Sequence, residues 1–310
     1  MPIPEVDKIW MNGELVDWHD AQIHVLTHAL HYGSGVFEGI RAYKTERGPA
    51  VFRLTDHLER LRRSAGLYYM ELPYTVAELA QAVKELIHAN GLEHCYIRPI
   101  VYRGYGEMGL FPLEAPIDCA VAVWPWGTYL GDEGVRHGVR VKISSIKSLD
   151  NNAITPAAKA CGQYLNSQLA KIEVVKAGYE EAVMLNNAGF VTQGTGENIF
   201  MVRGGRIVTP PLSTGLLEGI TRDAVMHIAA SLGHVVVEAD FTRSDLAVAD
   251  EAFFTGTAAE IVPIREIDDH PIGEPGPLTQ EIQRTFHEIT SGRSASFAHY
   301  LEYVDEAVKA

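Results

Sequence analysis

Over the first 120 residues the pattern of apolar and polar positions predicts alternating element types, with short strands around two amphipathic helices. Over residues 55–69 apolar side chains recur at helical spacing, at Leu58, Leu61 and Ala65, so we predict a helix that buries this face and leaves Arg60 off it. The same periodicity predicts a second helix over residues 76–89, which ends before Asn90 and Gly91. Strands are predicted at residues 8–16, around a turn, and at 95–103 and 118–126.

From residue 139 onward, runs of strands are joined by hairpins, with helices between them. A helix is predicted through Lys159 to about Ala177, and a hairpin over residues 198–210 turns at Gly204-Gly205. The other predicted strands cover 139–145, 181–186, 190–194, 234–240, 251–257 and 260–264, and the other helices cover 221–232, 244–249 and 278–290. This order predicts an α+β (mixed α/β) fold in two domains, because a doubly wound parallel sheet needs alternating strands and helices.

A stretch without periodicity separates the two halves of the chain. Residues 124–138, "WPWGTYLGDEGVRHG", combine Pro125 with four glycines and mixed charge. We therefore predict a small N-terminal α/β domain over residues 1–126, an interdomain loop over 127–135, and a large C-terminal domain over 136–310 that carries Lys159.

Composition and charge restrict the classes of function. The chain has 310 residues, 46% hydrophobic and 21% charged, which is ordinary for a globular protein. The net charge of −14, from 26 basic and 40 acidic side chains, argues against nucleic acid or an anionic membrane as a partner. The cysteines lack CxxC spacing, and no stretch approaches the ~20 apolar residues that span a bilayer. We therefore expect a cytoplasmic protein without a disulfide framework, a zinc knuckle or a membrane span.

One lysine stands in uncharged surroundings. In "TPAAKACGQY", residues 155–164, Lys159 is the only charged residue between Asp150 and Lys171. A solvated helix face usually mixes both signs of charge, so Lys159 is predicted to be partly buried. Burial favours the neutral amine, which can attack a carbonyl carbon, although most buried lysines serve packing alone. The lysine by itself leaves both interpretations open.

Three stretches predict positions for a bound anion. Gly219 and Thr221, in "EGITRD", place free N–H groups and a hydroxyl at the start of a helix. The turn at Gly256 and Thr257 presents further N–H groups, and Arg60 can add a guanidinium. Each feature is common by itself.

A phosphate site, a buried lysine and the phenol of Tyr164 are together what pyridoxal 5′-phosphate needs. Two other patterns are weaker. "GYGEMG", residues 104–109, has the dinucleotide-binding spacing, but two prolines follow it where a helix must begin. His24, His28 and His31 have metal-binding spacing without a nearby carboxylate or cysteine, so we expect no metal site.

The chain resembles a known family through eight motifs that occur in order over nearly its whole length. These are "THALHYGSGVFEGIRAY", "HLERL", "YIRP", "WPWGTYLG", "AAKACGQY", "GTGENIF", "LEGITRD" and "TGTAAEI". They resemble the bacterial branched-chain amino acid aminotransferases of the fold-type IV group, which includes D-amino acid aminotransferase. The expected fold is therefore the two-domain fold of that group.

The resemblance implies that pyridoxal 5′-phosphate forms a Schiff base with Lys159, which also moves the proton between the amino acid's α-carbon and C4′ of the cofactor. It implies further contacts to the cofactor from Arg60, Tyr164, Gln193, Leu217, Ile220, Thr221 and Thr257. In that assignment Leu217 lies against the ring, Tyr164 binds the ring hydroxyl, and Gln193 faces the pyridine nitrogen.

The implied reaction moves the amino group between branched-chain L-amino acids (leucine, isoleucine and valine) and 2-oxoglutarate by a ping-pong mechanism. The implied substrate-binding residues are Tyr32, Phe37, Gly39, Tyr96, Arg98, Met108, Leu110, Trp126, Tyr129 and Ala258. Arg98 is expected to bind the distal carboxylate of 2-oxoglutarate. Met108 and Leu110 are expected to come from the neighbouring subunit, so the resemblance implies at least a homodimer, with a hexamer as the larger alternative.

The chain departs from the family at Gln193, where the family has a glutamate beside the pyridine nitrogen. If the local register differs, Glu197 takes that role instead. Three enzymes of the same fold would share Lys159: a D-amino acid aminotransferase, an (R)-amine aminotransferase and an aminodeoxychorismate lyase. A cofactor-binding homodimer without catalysis is the alternative from another class.

Overall fold

The structure is a computed structural model that describes residues 3–127 and 131–308. Within these residues the chain forms two compact units. The first comprises residues 3–127, 158–162 and 288–308, and the second comprises 131–157 and 163–287. Residues 158–162 and 288–308 thus differ from the predicted domain assignment, which placed them in the C-terminal domain. They join the first unit because Ala160 bridges to Val36 and the last strand pairs within the first sheet.

The helices are α1 His28–Tyr32, α2 Leu54–Leu67, α3 Val76–Ala89, α4 Gly131–His137, α5 Tyr164–Lys176, α6 Ile220–Ser231, α7 Arg243–Ala247 and α8 Pro277–Thr290. The strands are β1 Lys8–Met11, β2 Glu14–Asp17, β3 Gly35–Phe37, β4 Ile40–Thr45, β5 Gly48–Phe52, β6 Cys95–Arg103, β7 Ile117–Pro125, β8 Val139–Ile143, β9 Glu181–Leu185, β10 Val191–Gln193, β11 Asn198–Arg203, β12 Arg206–Thr209, β13 Val236–Glu238, β14 Glu251–Gly256, β15 Glu260–Ile267, β16 His270–Pro271 and β17 Leu301–Tyr303. The mixture of helices and mainly antiparallel strands confirms the predicted α+β class.

The first unit is built on an eight-stranded antiparallel sheet in the order β17-β5-β4-β6-β7-β1-β2, with β3 also paired to β6. Helices α2 and α3 bury their apolar faces in the same core as the sheet. Leu58, Leu61 and Ala65 are fully buried there, which confirms the predicted face of α2. Helix α3 has the predicted bounds because Thr75 and Glu78 form a capping box at its start.

The second unit has a nine-stranded sheet in which six strands close on themselves. The path β10-β9-β8-β15-β14-β11 returns to its start because β10 also pairs with β11. The predicted hairpin is confirmed as β11 and β12. Its turn residues Gly204 and Gly205 have φ values of 57° and 73°, which glycine adopts without strain.

Two sequence predictions of local structure are wrong. Lys159 lies before α5, outside any helix, because its main-chain groups bond to other parts of the first unit. Residues 131–137 form α4 where an interdomain loop was predicted, and Val135 packs against the core of the second unit. Tertiary packing here outweighs the low helix propensity of two glycines. None of the described helices has the length and apolar content needed to cross a bilayer.

Candidate active site

Lys159 lies in an irregular connection whose main chain is hydrogen-bonded within the first unit. Its N–H donates to Ser64 Oγ at 3.1 Å, and its C=O accepts from the Phe37 N–H at 3.0 Å. The side chain is half-buried, as predicted, and Nζ lies 5.1 Å from the centroid of the Phe37 ring. The amine is therefore positioned against an aromatic face, with its main chain fixed on both sides.

A buried cluster of Glu38, His57 and Arg60, which we call the Glu38 cluster, lies in the same unit. Arg60 donates from Nε to Glu38 Oε1 at 2.7 Å and from Nη2 to Oε2 at 2.8 Å, and His57 Nδ1 lies 2.8 Å from Oε2. All three side chains are buried. Arg60 lies off the apolar face of α2, as predicted, but it is enclosed by the protein. Sequence reasoning missed Glu38 and His57 altogether.

Arg98 lies among aromatic rings without a carboxylate partner in the described residues. Its Cζ is 4.7 Å from the Phe37 ring centroid and 5.2 Å from that of Tyr96. Its Nε is buried and has no hydrogen-bond partner among the described groups. A half-buried guanidinium without a counterion is prepared to bind an anionic ligand.

Gly39 allows the Tyr96 phenol to approach the main chain closely. A Cβ at Gly39 would lie 2.0 Å from Tyr96 Oη, so any larger residue would displace the ring. Tyr96 in turn packs against Trp126, with the rings tilted and their centroids 4.6 Å apart. The structure thus brings together five predicted residues of the first unit, which are Phe37, Gly39, Tyr96, Arg98 and Trp126.

In the second unit, helix α6 begins at Ile220 after Gly219, as the anion-site prediction requires. A Cβ at Gly219 would lie 1.9 Å from Asn198 Oδ1, so only glycine fits at this N-cap. Asn198 Nδ2 donates to the Leu217 C=O at 2.9 Å. The chain that leads into the helix is therefore fixed to β11, and the first N–H groups of α6, including that of Thr221, have no partner within the helix.

The Gln193 amide lies beside the same segment. Its Oε1 accepts from the Leu217 N–H at 3.2 Å. An amide that accepts at oxygen presents its Nε2 hydrogens as donors elsewhere. The Nε2 hydrogens of Gln193 can therefore donate to another group.

Strand β14 ends in the turn that carries Thr257 and Ala258, both half-buried. Within this strand the Thr255 hydroxyl is buried and has no hydrogen-bond partner among the described residues. Such orphaned hydroxyls are rare in folded proteins. Glu197, on the chain before β11, is buried and accepts from the Gly196 N–H at 3.0 Å.

Several other predicted site residues lie elsewhere: at the surface of the single chain, at the start of α5, or outside the described residues. Tyr32 is exposed and stacks on His28 at 4.5 Å, and Met108 and Leu110 are 51% and 91% exposed in the single chain. Tyr164 is the first residue of α5 in the second unit. Tyr129 lies outside the described residues.

The three histidines near the N-terminus bond to protein groups. His28 contacts Ser34 Oγ at 2.6 Å and the Gly109 C=O at 2.8 Å, His31 contacts the Val25 C=O at 2.8 Å, and His24 Nδ1 accepts from the Leu26 N–H at 3.1 Å. No group of three potential metal ligands occurs among residues 3–127 and 131–308. These contacts account for the histidines as structural residues.

Comparison with known proteins connects this arrangement to a family. The class IV amino-transferase family pattern matches residues 35–267. The chain is 45% identical to the branched-chain-amino-acid aminotransferase of Pseudomonas aeruginosa over 294 residues, which cover 94% of this chain and 95% of that protein.

Two solved structures of a branched-chain amino acid aminotransferase, from an organism abbreviated T.th., are similar throughout. The structure with pyridoxamine 5′-phosphate matches with a TM-score of 0.94 at 45% identity, and covers 97% of this chain and 99% of its own. The structure complexed with N-(5′-phosphopyridoxyl)-L-glutamate matches with a TM-score of 0.93 at 44% identity and the same coverage, 97% and 99%.

The fold, together with a half-buried lysine and a glycine-capped helix terminus, defines an aminotransferase of fold type IV. The chain belongs to the class IV amino-transferase family. The fold class and the family resemblance seen in the sequence are thereby confirmed.

Proposed function

We propose that this enzyme moves the amino group between branched-chain L-amino acids and 2-oxoglutarate, using pyridoxal 5′-phosphate in a ping-pong reaction. One observation carries the proposal. The Phe37 ring lies near both an amine, Lys159 Nζ at 5.1 Å, and an arginine without a counterion among the described residues, Arg98 Cζ at 4.7 Å. The amine can act as the nucleophile, the aromatic ring can contact the apolar side chain of one substrate, and the arginine can bind the distal carboxylate of the other.

The residues present fit the cofactor. The described chain supplies a glycine-capped helix terminus at Ile220 and Thr221, an orphaned hydroxyl at Thr255 and a buried guanidinium at Arg60. These are donors of the kind that bind a phosphate. Arg60, Ile220, Thr221 and Thr257 bind the phosphate in the proposed function, as in the family resemblance. When bound, the cofactor supplies an aldehyde that takes the amino group and a ring that accepts electron density.

Lys159 performs the proton transfer. Its Nζ would take the proton from the α-carbon of the amino acid and hold it for delivery to the cofactor, and the same amine would carry a proton back in the second half of the reaction. The hydrogen bonds of its N–H to Ser64 and of its C=O to Phe37 hold the start of the side chain in place. One positioned amine therefore serves both half-reactions.

The aromatic wall selects the amino acid side chain. Phe37 lies beside the amine, the Arg98 guanidinium is near the rings of both Phe37 and Tyr96, and Tyr96 packs against Trp126. Each buried methylene group contributes about 0.8 kcal/mol, so isobutyl and sec-butyl side chains bind better than a methyl group. The substrate's own carboxylate binds at the turn of Thr257 and Ala258, whose N–H groups follow β14.

The functional unit is at least a homodimer. Met108 and Leu110 are apolar and largely exposed in the single chain, which supports their assignment to the pocket of a neighbouring subunit. Cytoplasmic location stays a prediction from cysteine usage; Cys95, Cys119 and Cys161 are free thiols.

Mixing the purified enzyme with single amino acids tests the proposal. We expect L-leucine, L-isoleucine, L-valine and L-glutamate each to change the cofactor absorbance, with kcat/KM for L-leucine about fiftyfold above that for L-alanine, because three more carbons are buried. D-leucine and (R)-1-phenylethylamine are the controls. Reaction with D-leucine in place of L-leucine would identify a D-amino acid aminotransferase, and no reaction with any of these amines would leave only cofactor binding.

Arg98 is expected to distinguish the two substrates. Replacing it with leucine removes a charged hydrogen bond to the distal carboxylate, which raises the KM for 2-oxoglutarate about tenfold to a hundredfold and changes the KM for L-leucine little. Steady-state kinetics with each substrate varied in turn measures the two constants. Arg98→Lys, which keeps the charge, serves as the control and recovers part of the loss. Equal losses for both substrates would make Arg98 a structural residue.

A further inference from the structure

The Glu38 cluster has a composition that packing alone does not require. Glu38 accepts both hydrogen bonds of a two-pronged pair with Arg60, and its Oε2 also receives the Gly39 N–H at 3.3 Å and contacts His57 Nδ1 at 2.8 Å. Glu38 is 0% exposed. Apolar residues of similar volume often stabilise a core as well as a buried ion pair does. The Glu38–Arg60 pair is therefore better explained by the fixed orientation that it gives the two side chains.

The protonation states follow from the contacts. Burial by itself raises the pKa of Glu38, but the charge of Arg60 and the hydrogen bonds from His57 and Arg60 overcome this and hold that pKa well below its usual range. Burial lowers the pKa of His57. Glu38 is therefore an anion at neutral pH, and a neutral His57 donates to it from Nδ1. The hydrogen bonds from Arg60, His57 and the Gly39 N–H fix the orientation of the Glu38 carboxylate.

The Glu38 cluster and the main chain of Lys159 are held by the same two segments, helix α2 and residues 37–38. Arg60 and Ser64 are four residues apart on α2 and so lie on the same side of that helix. Ser64 accepts the Lys159 N–H, while Phe37, which precedes Glu38, donates to the Lys159 C=O. Rotation of the Arg60 guanidinium is restrained by Glu38, and the main chain of Lys159 is restrained by the neighbouring residues on both sides.

We propose that Glu38 is a positioning residue that fixes the Arg60 guanidinium in the orientation that binds the cofactor's phosphate, and that His57 fixes Glu38 in turn. The inference rests on the phosphate-binding role proposed for Arg60. With Nε and Nη2 both bonded to Glu38, the plane of the guanidinium is set before the phosphate arrives. Less orientational freedom is then lost on binding, which is how preorganised sites gain affinity.

The test compares binding of pyridoxal 5′-phosphate with binding of pyridoxal, which lacks the phosphate, by the full-length protein stripped of cofactor. Glu38→Gln places an amide N–H against the arginine donors. We expect it to weaken the binding of pyridoxal 5′-phosphate about tenfold and to change that of pyridoxal less than about twofold. The ³¹P NMR signal of the bound phosphate should shift or broaden in this variant.

Two further variants separate positioning from folding. His57→Gln keeps the Glu38 and Arg60 pair and retains a donor, so we expect a smaller loss of phosphate-dependent affinity than in His57→Phe. Glu251→Gln is the matched control for replacing a buried carboxylate by an amide, since Glu251 accepts from the Thr279 N–H and hydroxyl in the second unit. We expect it to leave both affinities unchanged.

A double-mutant cycle that combines Glu38→Gln with Arg60→Met tests whether Glu38 acts through Arg60. If Glu38 acts through Arg60, Glu38→Gln adds no further loss of pyridoxal 5′-phosphate affinity once Arg60 is methionine. Equal weakening of pyridoxal and pyridoxal 5′-phosphate in Glu38→Gln would overturn the inference, as would an unchanged or stronger affinity for the phosphate form. Unchanged phosphate-dependent binding in Arg60→Met alone would overturn both this inference and the phosphate-binding role of Arg60. The amino acid specificity of the enzyme is tested separately, by mixing the enzyme with single amino acids.

Discussion

Replacing Lys159 with alanine is expected to lower transamination of L-leucine by about 10⁴-fold, because in the proposed function one amine acts as both the nucleophile and the proton carrier. The variant should also lose the absorbance of lysine-bound cofactor and become insensitive to borohydride, which is expected to bleach the unmodified enzyme. Pyridoxal 5′-phosphate is still expected to bind, more weakly, through its phosphate. Single-turnover kinetics and absorption spectra measure these effects.

The matched control is Lys176→Ala, which removes an exposed lysine at the end of α5 and should keep full activity. Added alkylamines should restore some proton transfer to the Lys159→Ala variant, because the backbone positions of Ser64 and Phe37 are unaffected by the truncation. Full activity in Lys159→Ala would show that this lysine is structural and not catalytic, and would contradict the proposed function.

Local signals along the chain were sufficient for elements that depend on nearby residues. The capping box of Thr75 and Glu78 defines α3, and the glycine pair at 204 and 205 defines the hairpin of β11 and β12. Both structures are set by contacts only a few residues apart. Sequence patterns of this range therefore predicted their bounds well.

The segment around Lys159 could not be predicted in the same way. Alanine-rich sequence favours a helix, but here the main-chain bonds of Lys159 go to Ser64 and Phe37, about a hundred residues away along the chain. A close approach of Gly33 to Gly162 further fixes the path, since a Cβ on Gly33 would lie 3.0 Å from the Gly162 Cα. Contacts at this sequence distance leave no periodic signal.

The Glu38 cluster has a recognisable pattern in the sequence. Glu38 is the one charge in the apolar run "GVFEGI", and a charge in such a position needs a buried partner. His57, Arg60 and Ser64 have helical spacing and form a polar stripe next to the apolar face of α2. This stripe could not be matched to Glu38 from the sequence, because no local pattern connects residue 38 to residue 60.

Replacing Gln193 with glutamate is expected to speed the half-reaction with L-leucine about tenfold to a hundredfold. In the proposed site, Gln193 faces the pyridine nitrogen of the cofactor. Its Oε1 accepts from the Leu217 N–H at 3.2 Å, so the end of the amide left for the ring is a donor, which suits an unprotonated nitrogen. A glutamate can keep the Leu217 bond with one oxygen and pair a protonated ring nitrogen with the other. The protonated ring accepts electron density more readily when the α-proton leaves.

Stopped-flow traces of the two proteins with L-leucine measure this rate, and the ¹⁵N chemical shift of labelled cofactor reports the protonation of the ring nitrogen without turnover. Glu197→Gln is the matched variant, since Glu197 is the alternative partner of the ring and already accepts from the Gly196 N–H at 3.0 Å. We expect it to disturb the turn before β11 and leave the ¹⁵N shift unchanged. If Gln193→Glu changes neither the rate nor the shift while Glu197→Gln abolishes both the rate and the ring protonation, the role belongs to Glu197, and Gln193 only anchors the chain that leads into α6.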